Sequence, residues 1–284
     1  MNIQFMTDGG ADIPKRIYNM IDVEVVPLYL HFQDEEYQTG DLDMTTFFKK
    51  IAETKSLPQS AAPSPHDFYE AYKKIDPKRP IIMLSLTKGL SSTYNNAVLG
   101  RNMLLEEEPE RQIAVINTKT ASCGIALLLH EAALKVEDNY TFEQLVSHLE
   151  ERVEQTTTLF VLKTLENLIL GGRLDRVRGT IAKTLNIKLL MKANDERGDI
   201  DVIEKVRGNK KAINRFIEQI GLHAKNFENK IITMTHCNDE PRAKKVLNDI
   251  IEKYPFKDAF LTETGPLIST YGGEGALVIS FFNK

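Results

Sequence analysis

The sequence predicts an α/β protein with two domains, on three observations. Apolar runs typical of buried strands alternate with helical patterns through residues 1–155, which indicates right-handed crossovers and a doubly wound, mainly parallel sheet. After residue 155, a predicted hairpin is mixed with strand–helix units, which favours an α+β domain. A chain of 284 residues is long enough for two such cores. We therefore expect an α/β domain at 1–155 and an α+β domain at 156–284.

The elements of the first domain follow from apolar periodicity and from helix-start signals. Asp12-Ile13-Pro14 is typical of a helix start, with a capping carboxylate and a proline in the first turn. Pro58, Pro63 and Pro65 mark the segment LPQSAAPSPH as a loop. The patterns predict strands over 2–6, 23–30, 81–86 and 113–117, and helices over 45–54, 67–74, 92–106 and 121–136.

The second domain shows a different order of elements. The final run, 277–282, is mostly apolar and should be a central strand. The segments 187–192 and 200–206 form a hairpin around residues 195–199. The remaining patterns predict strands over 157–163, 230–236 and 258–262, and helices over 165–170, 180–185, 210–226 and 241–253.

The amino-acid composition limits the classes of function that this chain can have. The net charge of −4 gives no general attraction to nucleic acid or to an acidic membrane surface, and aromatic residues are sparse. Neither Cys123 nor Cys237 belongs to a CxxC or a Cys/His ligand pattern, as expected for reduced cysteines of a cytosolic protein. The N-terminal segment has no signal-peptide pattern, and no apolar run approaches the ~20 residues that span a bilayer. We expect a soluble, cytoplasmic protein.

The most informative segment is PIIMLSLTKGLSSTYNNA at 80–97. An apolar strand runs into a turn that holds one glycine, Gly89, among hydroxyl side chains, and a helix follows. In a parallel sheet such a turn lies at the carboxyl edge, where ligands bind, and the helix offers unpaired N–H groups to an anion. Because there is no Gly-Lys pair, the turn suits a carboxylate better than a triphosphate.

Seven segments carry a resemblance to a known family. In order, they are TDGGADIP at 7–14, SAAPSP at 60–65, LTKGLSSTY at 86–94, GGR at 171–173, LNIKLLM at 185–191, KVRGNKKA at 205–212 and GPLISTYGGEGAL at 265–277. In these segments the chain resembles the DegV family, some members of which are the fatty-acid-binding subunits of bacterial fatty acid kinase. The resemblance covers essentially the whole chain. It implies a DegV-like two-domain fold enclosing one long-chain fatty acid.

The resemblance also implies a role without catalysis. The protein would present the fatty-acid carboxylate to a separate ATP-dependent fatty acid kinase, would need neither cofactor nor metal, and would contact membranes at most peripherally, for lipid exchange. The rival interpretation is a small-molecule phosphotransferase or other enzyme that uses Asp8 and the strand-end hydroxyls. Against it, the sequence shows no phosphate loop and no carboxylate cluster. A turn-forming role for Asp8 is the simpler interpretation.

Site residues are carried over from the family one by one. Ser91 matches the serine that holds the carboxylate, Ser92 follows it where the family has glycine, and Ser60 matches a threonine in the other head-group loop. Tyr271 stands where the family often has histidine; a phenol can still donate one hydrogen bond. Arg173 is expected to contact the kinase or the transferred phosphate. Without the resemblance, Ser91 would be a helix cap and Ser60 a turn residue.

The acyl tail should dominate affinity, because each buried methylene contributes about 0.8 kcal/mol. Five apolar side chains of the second domain could line a tunnel, although core packing is the more frequent role of any one of them. They are Leu159, Val161, Leu168, Ile181 and Leu185. The basic residues Arg176 and Arg178 are expected to lie on a solvated face.

Overall fold

A four-stranded parallel sheet forms the first part of the chain in the computed structural model, which describes residues 2–173, the backbone of 177–178, and residues 187–284. The strands are β1 (Gln4–Asp8), β2 (Val23–Val26), β6 (Ile81–Ser85) and β7 (Ile113–Asn117). Their spatial order is β2-β1-β6-β7. All three pairings are parallel, which confirms the predicted α/β class.

Helices cover both faces of this sheet. They are α1 (Lys15–Tyr18), α2 (Met44–Thr54), α3 (Pro65–Lys73), α4 (Thr93–Glu107), α5 (Cys123–Glu137) and α6 (Phe142–Gln155). Met6 and Met83 point to the face covered by α3 and α4, whereas Phe5 and Leu84 point to the face covered by α1 and α5. Because side chains alternate along a strand, neighbouring apolar residues fill two separate cores. The doubly wound arrangement is confirmed.

The single strand predicted over 23–30 is wrong. The chain instead forms β2 and, after Pro27 and Leu28, a separate strand β3 (Tyr29–Phe32). Proline has no N–H to donate to a ladder, so the strand cannot continue through it within the sheet. Strand β3 pairs with β4 (Glu35–Gln38) and β5 (Gln59–Ala61) in a small antiparallel sheet of order β4-β3-β5. Strand β5 lies within the predicted loop and places Ser60 opposite Leu30.

A seven-stranded mixed sheet forms the second part of the chain, as expected for an α+β unit. Its order is β13-β12-β14-β8-β10-β11-β9. The strands are β8 (Thr156–Val161), β9 (Val177–Arg178), β10 (Ile187–Ala193), β11 (Ile200–Arg207), β12 (Ile231–His236), β13 (Asp258–Glu263) and β14 (Leu277–Phe282). Strand β14 lies between β12 and β8, so its predicted central position is confirmed.

In the described part of the chain, the α-helices that accompany this sheet are α7 (Glu166–Leu170), α8 (Asn209–His223), α9 (Glu240–Lys253) and α10 (Pro266–Gly272). Phe216 of α8 and Ile250 of α9 pack on one face of the sheet. Helices α6 and α10 were not predicted. Thr141 and Gln144 form a capping box that signals the start of α6, whereas α10 is only seven residues long. The helix predicted over 180–185 lies outside the described residues.

Helix α5 lies between the two large sheets and belongs to both cores. Residues 123–133 of this helix are all buried. Ile125 and Leu128 pack in one cluster with Leu84 of the parallel sheet and Phe282 of the mixed sheet. The apolar core is therefore continuous through α5, and the division at residue 155 stays a prediction. Within the described residues, no helix combines the length and apolar composition that crossing a membrane requires.

Candidate ligand-binding site

A cavity lies between the two large sheets, at the end of α5 where the helix begins. It contains about 990 Å³ of space free of atoms, including the part open to solvent. The loops after β6 and β7, the inner face of the mixed sheet, and helices α7 and α10 supply its walls. Its apolar lining includes Leu28, Leu86, Leu90, Phe160, Leu162, Leu168, Ile200, Leu267, Ile268 and Val278.

Four half-buried polar side chains line this cavity: Ser60, Ser91, Arg173 and Tyr271. We call them the polar rim. The hydroxyls of Ser60 and Tyr271 lie 2.5 Å apart, although the residues are 211 positions apart in the chain. The guanidinium carbon of Arg173 lies 4.9 Å from the centre of the Tyr271 ring, and its Nη1 donates to the Gly171 carbonyl at 2.9 Å. The structure thus brings residues of three predicted motifs together.

Ser91 lies in the loop between β6 and α4. Its Oγ accepts a hydrogen bond from the Thr93 amide at 3.3 Å and lies 2.8 Å from the Thr93 hydroxyl. Ser91 thus satisfies the first amide of α4, although the N-cap position itself is Ser92. This bond is compatible with a ligand role, because Thr93 can donate to Ser91 and leave the Ser91 proton free to point into the cavity. Ser92 is exposed and does not line the cavity.

Strand β8 shows which predicted tunnel residues face the cavity. Thr158, Phe160 and Leu162 line it, whereas Leu159 and Val161 pack in the core beneath α8 and α9. Leu159 and Val161 therefore have the core-packing role that the sequence indicates as the more frequent one, because side chains alternate between the two faces of a strand. Leu168 lines the cavity as expected. Ile181, Leu185 and the side chains of Arg176 and Arg178 lie outside the residues that the structure describes.

Three buried hydroxyl residues of the lining were missed by sequence reasoning: Thr120, Ser122 and Thr158. The Thr120 and Thr158 hydroxyls lie 2.7 Å apart, and Thr158 lies 2.8 Å from the Ser280 hydroxyl. Since these groups bond to one another, they need no hydrogen bond from a ligand and leave the wall suitable for an alkyl chain. The signal that could have found Thr120 and Ser122 is the hydroxyl-rich turn after the strand at 113–117.

The turn of the β10–β11 hairpin closes the cavity on one side. The Thr87 hydroxyl donates to the Gly198 carbonyl at 2.9 Å. A Cβ on Gly89 would lie 2.5 Å from the backbone carbon of Gly198, so only glycine allows this close approach. Asp199 of the same turn lines the cavity and is paired with Arg197 at 3.0 Å. The glycine in the predicted binding loop thus serves packing between the two halves of the chain.

Asp12 is not the helix cap that the sequence predicts. The residue before α1 is Pro14, which makes no side-chain cap. The Asp12 carboxylate instead accepts a hydrogen bond from the Gly265 amide at 2.6 Å and one from the Ser122 hydroxyl. The carboxyl is fully buried, and this burial raises its pKa to about 7 although both hydrogen bonds favour the ionised form.

Asp8, on which the rival enzyme hypothesis depends, is fully buried. One oxygen accepts from the Gly10 amide at 3.0 Å, and the other accepts from the Leu86 amide at 2.8 Å and the Ser85 hydroxyl at 2.9 Å. The first oxygen thus closes the turn after β1, and the second joins the ends of β1 and β6. Among the described residues, no group of three or more His, Cys, Asp or Glu side chains is arranged to hold a metal ion.

Replacing Asp8 should change the pH dependence of stability. Burial raises the Asp8 pKa from 3.8 to about 6, so the stability that this group contributes is fully present below the unfolded value and is lost as pH rises through 6. The free energy of unfolding of Asp8→Asn should therefore lie furthest below wild type near pH 4 and approach it by about pH 7. Urea unfolding of both proteins across this range tests it. A difference that widens with pH would mean that the ionised carboxylate is the stabilising form.

Comparison with known proteins agrees with the geometry. The DegV family model matches residues 2–284. A fatty acid-binding protein of Thermotoga maritima is 27% identical, covering 98% of this chain and 96% of its own. A DegV family structure from Ruminococcus gnavus, refined with vaccenic acid, has a TM-score of 0.91 at 31% identity and covers 99% of both chains. The Streptococcus pneumoniae fatty acid kinase B3 protein, loaded with linoleic acid, has a TM-score of 0.86 at 26% identity and covers 100% of both.

Proposed function

Because this chain belongs to the DegV family, we propose that it binds one long-chain fatty acid in the cavity and presents the carboxylate to a separate ATP-dependent fatty acid kinase. The observation that carries this proposal is a mostly apolar cavity whose half-buried polar groups are three hydroxyls and one guanidinium. An alkyl chain with one anionic end matches that distribution. Similar proteins of known structure hold vaccenic and linoleic acid.

The polar rim supports a head-group role through its spare protons. In the Ser60–Tyr271 pair one hydroxyl donates to the other, and the second proton of the pair remains available. The Ser91–Thr93 pair offers another proton in the same way. Each hydrogen bond to an ionised carboxylate is worth about 1.5–3 kcal/mol. Arg173 adds a positive charge on the same side, stacked on Tyr271.

The free energy of burying the acyl tail favours a long-chain fatty acid as the ligand. Burying about sixteen carbons at 0.8 kcal/mol per methylene contributes on the order of 11–12 kcal/mol before entropic losses. The head group contributes less, so the length and shape of the cavity should decide which acid is bound. In this proposal the protein is not itself the catalyst, and the phosphoryl group comes from the kinase.

Native mass spectrometry of the purified protein tests fatty-acid binding directly. We expect a mass excess equal to one long-chain fatty acid, lost on denaturation and restored when the delipidated protein is mixed with vesicles that contain free fatty acid. A decanoic acid control should bind more weakly, because it buries about six fewer methylenes. Delipidated protein that takes up no long-chain acid under any of these conditions would refute the proposal.

Arg173 should matter more for phosphorylation than for binding. We expect Arg173→Ala to lower kinase-dependent phosphorylation of the bound acid by about tenfold or more, since a half-buried charge at the opening can meet the transferred phosphate. The affinity for the fatty acid itself should change only a few-fold. Lys88→Ala, which removes an exposed cation from the β6–α4 loop, is the control. Equal losses in binding and phosphorylation would assign Arg173 to the head group alone.

A further inference from the structure

Helix α10 forms one wall of the cavity and is held to the first part of the chain at both ends. Leu267, Ile268 and Tyr271 of this helix line the cavity. Among the hydrogen bonds between described residues, two join 265–272 to residues 1–155. One is the Ser60–Tyr271 pair of the polar rim, and the other runs from the Gly265 amide to Asp12 at 2.6 Å. The Gly265–Asp12 hydrogen bond involves no residue of the polar rim, so it does not take part in head-group recognition.

The turn that precedes α5 is the other partner of Asp12. Ser122 has φ 57° and ψ −131°, a conformation that residues with a side chain rarely adopt. Such a conformation persists when its surroundings hold it, and it is frequent at functional sites. The Ser122 amide donates to the Gly10 carbonyl at 2.7 Å, and its hydroxyl contacts Asp12 and, at 2.8 Å, Thr235. Asp12 therefore connects this strained turn to α10.

We propose that Asp12 is a positioning residue of the cavity: its carboxylate holds the start of α10 against the turn before α5, and it thereby sets how long a bound fatty acid is retained. The proposal rests on the fatty-acid site proposed above. Glycines flank α10 at Gly265 and Gly273, so the helix has flexible backbone on both sides. Without Asp12, the hydroxyl pair at Tyr271 would be its remaining hydrogen bond to residues 1–155 among those described.

Among the residues that the structure describes, no charged group near Asp12 would replace this connection. The titratable groups that face it are the thiols of Cys123 and Cys237, whose pKa values burial raises, so both stay neutral. Asp8 precedes it on the same segment and is engaged with the ends of β1 and β6. Protonation of Asp12 keeps the geometry, because one oxygen still accepts from Gly265 and the other can donate to Ser122. Asparagine offers the same acceptor and donor.

Two measurements on the full chain test the proposal. Hydrogen exchange of the ligand-free protein measures how firmly α10 is attached. Stopped-flow release of a fluorescent long-chain fatty acid measures how long the ligand is retained. We expect Asp12→Ala to speed exchange in 265–272 and fatty-acid release by about tenfold each, the ratio that corresponds to losing one buried hydrogen bond. Asp12→Asn should stay within about threefold of wild type in both. Ser122→Ala, which removes one partner, gives an intermediate result and decides the question if Asp12→Ala does not fold.

Glu131→Ala is the matched control. Glu131 is also a buried carboxylate and bonds to His148 at 2.7 Å and Arg152 at 3.1 Å, away from the cavity. The Glu131→Ala substitution should lower stability and leave hydrogen exchange in 265–272 and the rate of fatty-acid release unchanged. The proposal is overturned if Asp12→Ala behaves like Glu131→Ala, or if Asp12→Asn releases the acid as fast as Asp12→Ala, which would point to charge instead of geometry. A wild-type protein that binds no fatty acid refutes the proposed function, whereas the exchange measurement still decides whether Asp12 positions α10.

Discussion

Val278→Phe should lower the affinity for a long-chain fatty acid by more than about 100-fold, because the added ring fills the cavity and excludes some four methylenes at 0.8 kcal/mol each. Val278 is suited to this test because it lies on the central strand β14 opposite Phe160, and both side chains line the cavity. A rigid strand cannot move aside as a loop would. A titration of delipidated protein with acids of increasing length measures the effect.

The length dependence separates a filled cavity from general damage. Val278→Phe should lose affinity for long acids while keeping that for short ones, because a short tail does not reach the ring. Val115→Phe places the same ring on β7, outside the cavity lining, and should lower stability without changing the length preference. If Val278→Phe binds long acids as tightly as wild type, the tail does not occupy this cavity.

Removing both head-group serines should have the second largest effect. We expect Ser60→Ala with Ser91→Ala to weaken fatty-acid binding about 100-fold, and each single change to weaken it about tenfold, since each hydrogen bond to a carboxylate contributes about 1.5–3 kcal/mol and the two losses add. Both serines line the cavity and each shares a hydrogen bond with a neighbouring hydroxyl. Titration with a fatty acid and with its methyl ester measures the change.

Comparison of the acid with its methyl ester shows which interaction the substitutions remove. Wild type should prefer the acid, and the double variant should bind acid and ester almost equally, because the hydroxyls act on the charged head group. Ser92→Ala is the control, as Ser92 is the exposed neighbour of Ser91 and lies outside the lining. A double variant that still prefers the acid would move the head-group site away from these serines.

Much of the fold followed from local patterns. The parallel sheet, the hairpin at 187–207 and the central strand at 277–282 depend on apolar runs and turn residues that can be recognised within a few positions. The error at 23–30 has a local cause as well, since Pro27 ends β2 and sends the next strand into another sheet. Which sheet each of the two strands joins is decided by tertiary contacts, and these are not visible in the local sequence.

The candidate site was predictable only where family motifs marked it. Ser60 and Tyr271 are 211 positions apart, and Asp12 and Gly265 are 253 apart, so no local pattern can reveal either contact. The face of β8 that lines the cavity could not be chosen either, because Leu159 and Phe160 are both apolar and either could point inward. A carboxylate near a proline predicts a cap for Asp12, and a distant amide competes successfully for it.

The burial of residues 123–133 of α5 has a consequence for how the chain folds. A fragment that stops at residue 155 would expose the side of this helix that β12 and β14 cover, and a fragment that starts at 156 would lack the helix altogether. Neither piece has a complete interior, so both parts should melt in one transition during calorimetry. A nascent polypeptide would then remain vulnerable to proteases until its last strand has emerged from the ribosome and joined the sheet.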